Sequence, residues 1–262
     1  MAPISYIRIR DTAGDVQAIL TANGMEGGQN GFLSLTWHKE RNAVHTAQFM
    51  ISQHNPDVAY LQDKYQVEII RADPDNSLSE YVSFDGFIRD LAPYSDDQGR
   101  DLLNITAYSP MHLLTWRRIA YPPNKNNYTL FTSVAAETVL KRLVKYNCDP
   151  SFATTGNGRD RTPNSINLTI ETDASGGETI NWAVGGRTRL LDELTKIAYV
   201  AGGDFDVVRT GADTYEFQFY IGGLGTDRTS GTGKVTFSLG FGNMRVPKLN
   251  VQNANGFTVA IV

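Results

Sequence analysis

The sequence predicts an α+β fold that is mainly β, with antiparallel, barrel-like tube domains carrying a helix-containing insertion. Three observations predict it. Segments of period two run through residues 4–108. Two segments of helical period follow, one opening at Ser133 and one at Thr188. Period two then returns from Phe205 onward. The helices do not alternate regularly with strands, so the class is α+β rather than α/β, and no short repeat is present.

Ile4–Arg10 alternates, with Ile7 and Ile9 on one face and Tyr6, Arg8 and Arg10 on the other, which predicts a strand. Asp11–Asp15 has turn chemistry and Val16–Leu20 reads as the returning strand. Asn23–Gly31 is too rich in Gly for either regular element and reads as a loop. Phe32–Trp37 and Ala47–Ile51 form a predicted strand pair joined by the polar linker Lys39–Asn42. Tyr65–Ile70, Tyr81–Leu91 and Leu102–Tyr108 complete a series whose spacing suggests an antiparallel barrel or sandwich. Ala72–Asn76 and Ser95–Gly99 read as turns between them.

Ser133 is placed to cap a helix in which Ala136, Val139, Leu140, Leu143 and Val144 share one face. Pro150 would end it, and Thr154–Arg161 reads as an exposed loop. A short strand is predicted at Ile166–Ile170. Thr188 is placed to cap a second helix that buries Leu190, Leu191, Leu194, Ile197, Ala198 and Ala201 and stops at Gly202-Gly203. Strands return at Phe205–Val208 and Tyr215–Tyr220, and Lys234–Val262 alternates weakly.

The 262 residues suffice for one large domain or two small ones. With 41% hydrophobic and 20% charged residues, disorder of the whole chain is excluded. A net charge of −4 does not favour binding nucleic acid by neutralising phosphates, though it suits a channel that DNA passes through. The lone Cys148 makes no intrachain disulfide or Cys-ligated zinc site and reads as a small buried residue. The first residues lack a signal-peptide pattern, and no apolar run approaches the roughly 20 residues a spanning helix needs. The expectation is a protein made in the cytoplasm, without a membrane-spanning segment.

Signatures of catalysis are missing. Gly231-Thr232-Gly233-Lys234 resembles the end of a phosphate loop, but Arg228 and Val235 stand where Gly and Ser or Thr are required. His38, His45, His54 and His112 show no metal-binding spacing, although His38 and His45 flank a probable hairpin loop. Asp96-Asp97 lies in a polar loop, and Asp192-Glu193 sits where negative charge favours a helix start. Trp37, Trp116 and Trp182 have apolar neighbours and read as core. No catalytic, cofactor or metal residue is assigned, and the expectation is a non-enzyme.

From Phe32 to Arg228 the order of features resembles the hub proteins of siphophage tail tips, related to the amino-terminal hub part of tail-associated lysins. The carriers are Phe32–Trp37, Ala47–Ile51, Tyr65–Ile70, Phe84-Asp85-Gly86-Phe87-Ile88-Arg89-Asp90 and Leu102–Ser109. Leu113-Leu114-Thr115-Trp116-Arg117-Arg118-Ile119 is the most recognisable piece. Ala135–Val139, Trp182, Leu190–Leu194 and Gly203–Val207 follow in the same order.

The resemblance implies a structural hub at the distal tip of a bacteriophage tail. It implies a homotrimeric ring that closes or extends the tail tube. Expected partners are the distal tail protein, the tape measure protein and tail fibre or receptor-binding proteins, with DNA only in transit. The alternative is another baseplate or distal tail component that binds a host receptor. The expected division is a β-barrel-like tube domain at 1–118, a helix-containing insertion at 119–202 and a second β region at 203–262 that completes or extends the tube domain. Arg117 and Arg118 are candidate domain-junction contacts, suited to pairing with carboxylates. Glu68, Asn104 and Thr106 are candidate lumen-facing residues. Asn23–Gly31 and Tyr121–Asn127 are candidate contacts or plugs.

Overall fold

The computed structural model describes residues 4–22, 31–73, 78–119, 128–148 and 167–225. The chain divides into two compact units, Met1–Leu224 and Gly225–Val262, and every element below belongs to the first. The loop 23–30, the turn at 74–77 and residues 121–127 lie outside the described residues, as do 149–166 and the tail 226–262.

Seven strands form one antiparallel sheet: β1 (Ile4–Arg10), β2 (Val16–Thr21), β3 (Ser34–His38), β4 (Thr46–Ser52), β5 (Gln66–Asp73), β6 (Leu78–Ser95) and β7 (Asp101–Tyr108). Their order is β2-β1-β5-β6-β7-β4-β3. Period two decides which face is buried. Ile7, Ile9, Leu20, Phe49, Ile51, Val67, Ile69, Phe84, Ile88 and Ile105 point inward into one core. The long β6 serves both halves of the sheet. Its residues 78–87 pair with β5 and 87–95 with β7, and Phe87 faces Gln66 on one side and Tyr108 on the other. Gly86 sits at this corner, where an added Cβ would lie 2.5 Å from the Tyr108 carbonyl oxygen. The edge strands β2 and β3 approach at one corner through a bridge between Thr21 and Gly31, with the Phe32 N–H donating to Thr21 O at 2.9 Å. Among the described residues the sheet is mainly antiparallel and curled, and no closed barrel is seen.

The second core belongs to the helices. A short helix α1 (His112–Thr115) leads to β8 (Tyr128–Ala135), α2 (Ala136–Cys148), β9 (Leu168–Ile170), β10 (Thr179–Gly185), α3 (Leu190–Ala201), β11 (Gly203–Arg209) and β12 (Tyr215–Ile221). The apolar faces expected of α2 and α3 are the ones buried. They pack with Phe205, Val207, Tyr215, Phe217 and Phe219 from β11 and β12. β11 and β12 pair antiparallel, and β9 adds parallel to β12. Gly202 ends α3 in the left-handed conformation, φ 65°, which Gly adopts without strain.

Both expected helix caps are corrected. Ser133 lies in β8 at φ 52°, beside a bulge, and its N–H donates to Asn181 Oδ1. The first N–H groups of α2 are satisfied instead by the carbonyls of Glu178 and Gly176, at 2.9 and 3.2 Å. Thr188 bonds back to Gly185 O, and Arg189 takes the cap position of α3 without a side-chain bond. The pairing partners of β8 and the bulge are set by β10, so local cap chemistry is overridden by tertiary context.

Candidate functional site

The two cores meet along β11. Alternation sends Phe205 and Val207 into the helix core and leaves Asp204 and Asp206 on the opposite face, toward the sheet. Arg209 follows at the strand end. Asp204 and Arg209 hold polar contacts with the sheet region, and Asp206 lies between them.

At Asp204, Oδ1 accepts from Arg41 Nη2 at 2.8 Å and Asn42 Nδ2 at 2.9 Å, while Oδ2 accepts from the Leu224 N–H at 2.6 Å. Burial alone would raise this carboxyl, but the Arg41 guanidinium and the other donors outweigh it and hold the group below the usual carboxylate range. Asn42 is a pin in its own right. Its carbonyl accepts from Thr195 Oγ1 on α3 at 2.9 Å, and its Oδ1 accepts from the Phe205 N–H at 2.8 Å. It does this from φ 53°, a conformation Asn tolerates better than most residues.

At the other end, Arg209 is enclosed by Glu68 at 2.5 Å, Asp85 at 2.8 Å and the Gln66 side chain. Arg209 Nε donates to Asp85 Oδ2 at 3.0 Å, whereas Oδ1 lies close to Nη2 outside hydrogen-bond geometry, so that contact is electrostatic only. Gln66 also donates to the Ala212 carbonyl. Arg8 and Arg10 approach Glu68 at 3.2 and 3.1 Å from β1. Burial pushes Glu68 up, but Arg10 and Arg209 outweigh it and bring it below its ordinary value. Asp85 goes the other way: burial dominates, and Glu68 adds to the rise against the pull of Arg209.

Between the two clamps lies Asp206, facing His45 and Lys39. Burial raises its carboxyl and lowers the His45 imidazole. An open cleft of about 530 Å³ runs here, bordered by Asp206–Gly211 on one side and by residues including Val82, Asp85, Ser109 and Pro110 on the other. Among the described residues no group of three or more His, Cys, Asp or Glu side chains could hold a metal ion. None of their helices is long and apolar enough to cross a membrane.

With this arrangement in view, the comparisons with known proteins identify the chain's family. The family model described as Siphovirus ReqiPepy6 Gp37-like protein matches residues 18–262. The chain belongs to that family. The family is one of siphovirus proteins. No curated protein matches the sequence. Solved structures with a similar arrangement include the tail protein from Neisseria meningitidis MC58, at 10% identity and TM-score 0.46, covering 83% of this chain and 50% of that one. Prophage tail protein gp18 from Listeria monocytogenes EGD-e aligns at 14% identity and TM-score 0.43, covering 81% and 50%. An Escherichia coli protein described as a type VI secretion system component aligns at 9% identity and TM-score 0.36, covering 83% and 45%. The chain spans about half the length of these structures.

The residues singled out in the sequence of this family member fall as follows. Glu68 is 7% exposed, enclosed by the Arg209 clamp. Asn104 and Thr106 are half-buried on the face of β7 opposite Ile105. The backbone of Arg117–Ile119 pairs with residues 187–190 ahead of α3, through the Arg118–Arg189 bridge and the Leu190 N–H to Arg117 O bond. Arg118 Nη1 donates to the Arg187 carbonyl at 2.9 Å rather than to a carboxylate. Arg117 Nε is buried without a hydrogen-bond partner. Trp116 departs from the core expectation: it is 42% exposed, with the Arg89 guanidinium 5.1 Å from its ring centre.

Sequence reasoning missed the seam itself. Arg41 and Asn42 read as an ordinary polar linker, and Arg209 as the end of a strand. The available signal was Gly222-Gly223 after β12, since Gly223 at φ 107° lets the chain turn back so that the Leu224 N–H reaches Asp204.

Proposed function

We propose that this siphovirus family member is a structural hub at the distal tip of the phage tail, a homotrimeric ring that closes or extends the tail tube and anchors other tip proteins. Family membership over residues 18–262 is the observation that carries the reading. The proposed partners are copies of itself, the distal tail protein, the tape measure protein and tail fibre or receptor-binding proteins. The role is structural rather than enzymatic. The tube region is assigned to 1–118, the helix-bearing insertion to 119–202 and the second β region to 203–262, with strands 203–221 sharing the insertion's core.

A feature of the sheet supports the tube assignment. Its outward rows across β3, β4, β7 and β6 are Thr36, Gln48, Thr106, Asp90 and Ser34, Met50, Asn104, Ala92. These rows contain no Lys or Arg. DNA can slide along such a surface without being held by phosphate contacts. Asn104 and Thr106 are therefore the proposed lumen residues. Glu68 enters the proposal as the anchor of Arg209, because its carboxylate is enclosed. Arg117 and Arg118 are proposed to fix the junction through main-chain pairing. The parts of the β2 and β3 edges beyond their Thr21–Gly31 bridge are the natural sites for subunits to pair and complete a tube wall.

Native mass measurement of the assembled tip, with reconstruction of the particle, tests the reading. Three copies around an open or plugged channel are expected. Monomers or dimers in the particle, or a channel lined mainly by Lys and Arg, would refute it. The exposed Trp116 under Arg89 favours a second reading, a tip component that binds host glycans. Binding of the purified chain to a glycan array, abolished by Trp116→Ala, would favour that reading.

A further inference from the structure

We propose that the open edge of β11 receives an extended segment of another protein as an added strand, with a Lys or Arg of that segment set against Asp206. β11 lies at the end of its sheet, in the order β11-β12-β9, and among the described residues no strand pairs with its other edge. That edge is not on an open surface. It forms one wall of the cleft of about 530 Å³, with Asp206–Gly211 lining it consecutively, as a backbone edge does and a side-chain pocket does not. The four strand residues among them, Asp206–Arg209, span about 13 Å before the chain turns at Thr210.

The hydrogen-bonding state of the edge fits a vacancy for a strand. In an antiparallel ladder the N–H and C=O of alternate residues point to the same side. The Phe205 N–H points outward, since the Asn42 side chain caps it. Val207 and Arg209, at period two, point the same way. The Val207 N–H is met only by the carboxylate of its own neighbour Asp206, at 2.8 Å, and no partner is present for the Arg209 N–H among the described residues. Asn42 thus blocks the edge at one end and leaves the part inside the cleft open.

Charge selects the occupant. Asp204 and Asp85 are both ion-paired, to Arg41 and Arg209. Asp206 has no ion pair within 4.0 Å among the described residues; His45 and Lys39, which also line the cleft, act on it only from a distance, and Arg209 is taken up by Glu68 and Asp85. An incoming cation at this position meets an unpaired, partly buried carboxylate. The opposite wall of the cleft includes Val82, Asp85, Ser109 and Pro110, and the free edge inside it is only the last four residues of β11, which suits a single short extended arm rather than the broad sheet edge of a second copy. Main-chain bonds would give such an arm its affinity, and Asp206 its specificity.

The proposal is independent of the ring and is tested on the full chain in solution. The probes are the blocked pentapeptide Thr-Val-Lys-Val-Thr, its Thr-Val-Glu-Val-Thr analogue, and the Lys peptide N-methylated at alternate residues. The Lys peptide is expected to bind and to slow hydrogen exchange at Val207 and Arg209. The Glu analogue, the methylated peptide and the Asp206→Asn protein should each bind at least about tenfold more weakly. The proposal is overturned if those amides are already protected in the chain alone, or if no peptide binds at millimolar concentration. Equal binding of the Lys and Glu peptides, or indifference to N-methylation, overturns it as well.

Discussion

Arg209 at the end of β11 lies 2.8 Å from Asp85 of β6, residues 124 positions apart in the chain. Around them Glu68, Gln66, Arg8 and Arg10 complete a charge network that ties the helix-bearing region to the sheet. Removing Arg209 leaves Asp85 without its cation, while Glu68 keeps Arg8 and Arg10, and a stranded buried carboxylate costs more than its pair contributes. Replacing Arg209 by Ala should lower unfolding stability by about 3 kcal/mol. Arg209→Lys should fall between the two, because an ammonium cannot form the forked contacts. Chemical denaturation measures both, and an Ala variant as stable as the parent would show the seam to be incidental.

Acid should loosen the clamps before the cores. The folded-state values of Glu68 and Asp204 are depressed, so their stabilisation is present above the ordinary carboxylate range. It is lost as pH falls through the lowered values. Stability should therefore drop steeply below about pH 4. Asp204→Asn should flatten part of that drop. A profile unchanged by the substitution would contradict the assignment.

Asp206 carries the opposite sign. Its value is raised by burial, so its ionised form opposes folding once pH exceeds the ordinary carboxylate range. Asp206→Asn should raise the melting temperature at neutral pH and lose that advantage below about pH 4. A residue that lowers stability where a neutral isostere would raise it is a candidate for function. A neutral-pH melting temperature lower than the parent's would refute this account.

The α2 helix holds a second buried pair. Lys141 Nζ donates to Glu137 at 2.5 Å, to Glu171 and to the Thr172 carbonyl, and Glu137 accepts from the Ala174 and Gly176 N–H groups. Lys141→Met should cost about 3 kcal/mol by stranding Glu137, and adding Glu137→Gln should restore part of the loss. Additive single losses in the double-mutant cycle would show that the pair does not act as a unit.

Gly86 is expected to be the least replaceable glycine in the sheet. A Cβ there meets the Tyr108 carbonyl at 2.5 Å and the Phe84 ring at 2.7 Å. Gly86→Ala should cost about 2–3 kcal/mol. Gly185→Ala, with nothing within 4 Å, should be close to neutral. Thermal melts of the two variants make the comparison, and equal losses would contradict the corner role assigned to Gly86.

The strands at 4–10, 16–21, 46–52, 66–73 and 101–108 were legible because each buries one face, and period two marks that face whatever its neighbours are. The buried sides of α2, α3 and β12 were legible for the same reason. β8 and β10 were not: they form a two-stranded ribbon with exposed Leu130 and half-buried Trp182, so alternation is diluted.

The sequence by itself determined which face of each main element is apolar, the mainly β α+β class, and the stop of α3 at Gly202. Those properties depend on residues close together in the chain, where spacing and backbone preference act directly. Only the tertiary structure decided that Glu68, Asp85 and Arg209 form one network, that Asn42 pins β11 and α3, and that Asp206 stands unpaired beside an open strand edge. The reason is physical. A polar side chain on a strand's outer face looks the same in sequence whether water or another chain segment covers it, and the covering segment here arrives from more than a hundred residues away.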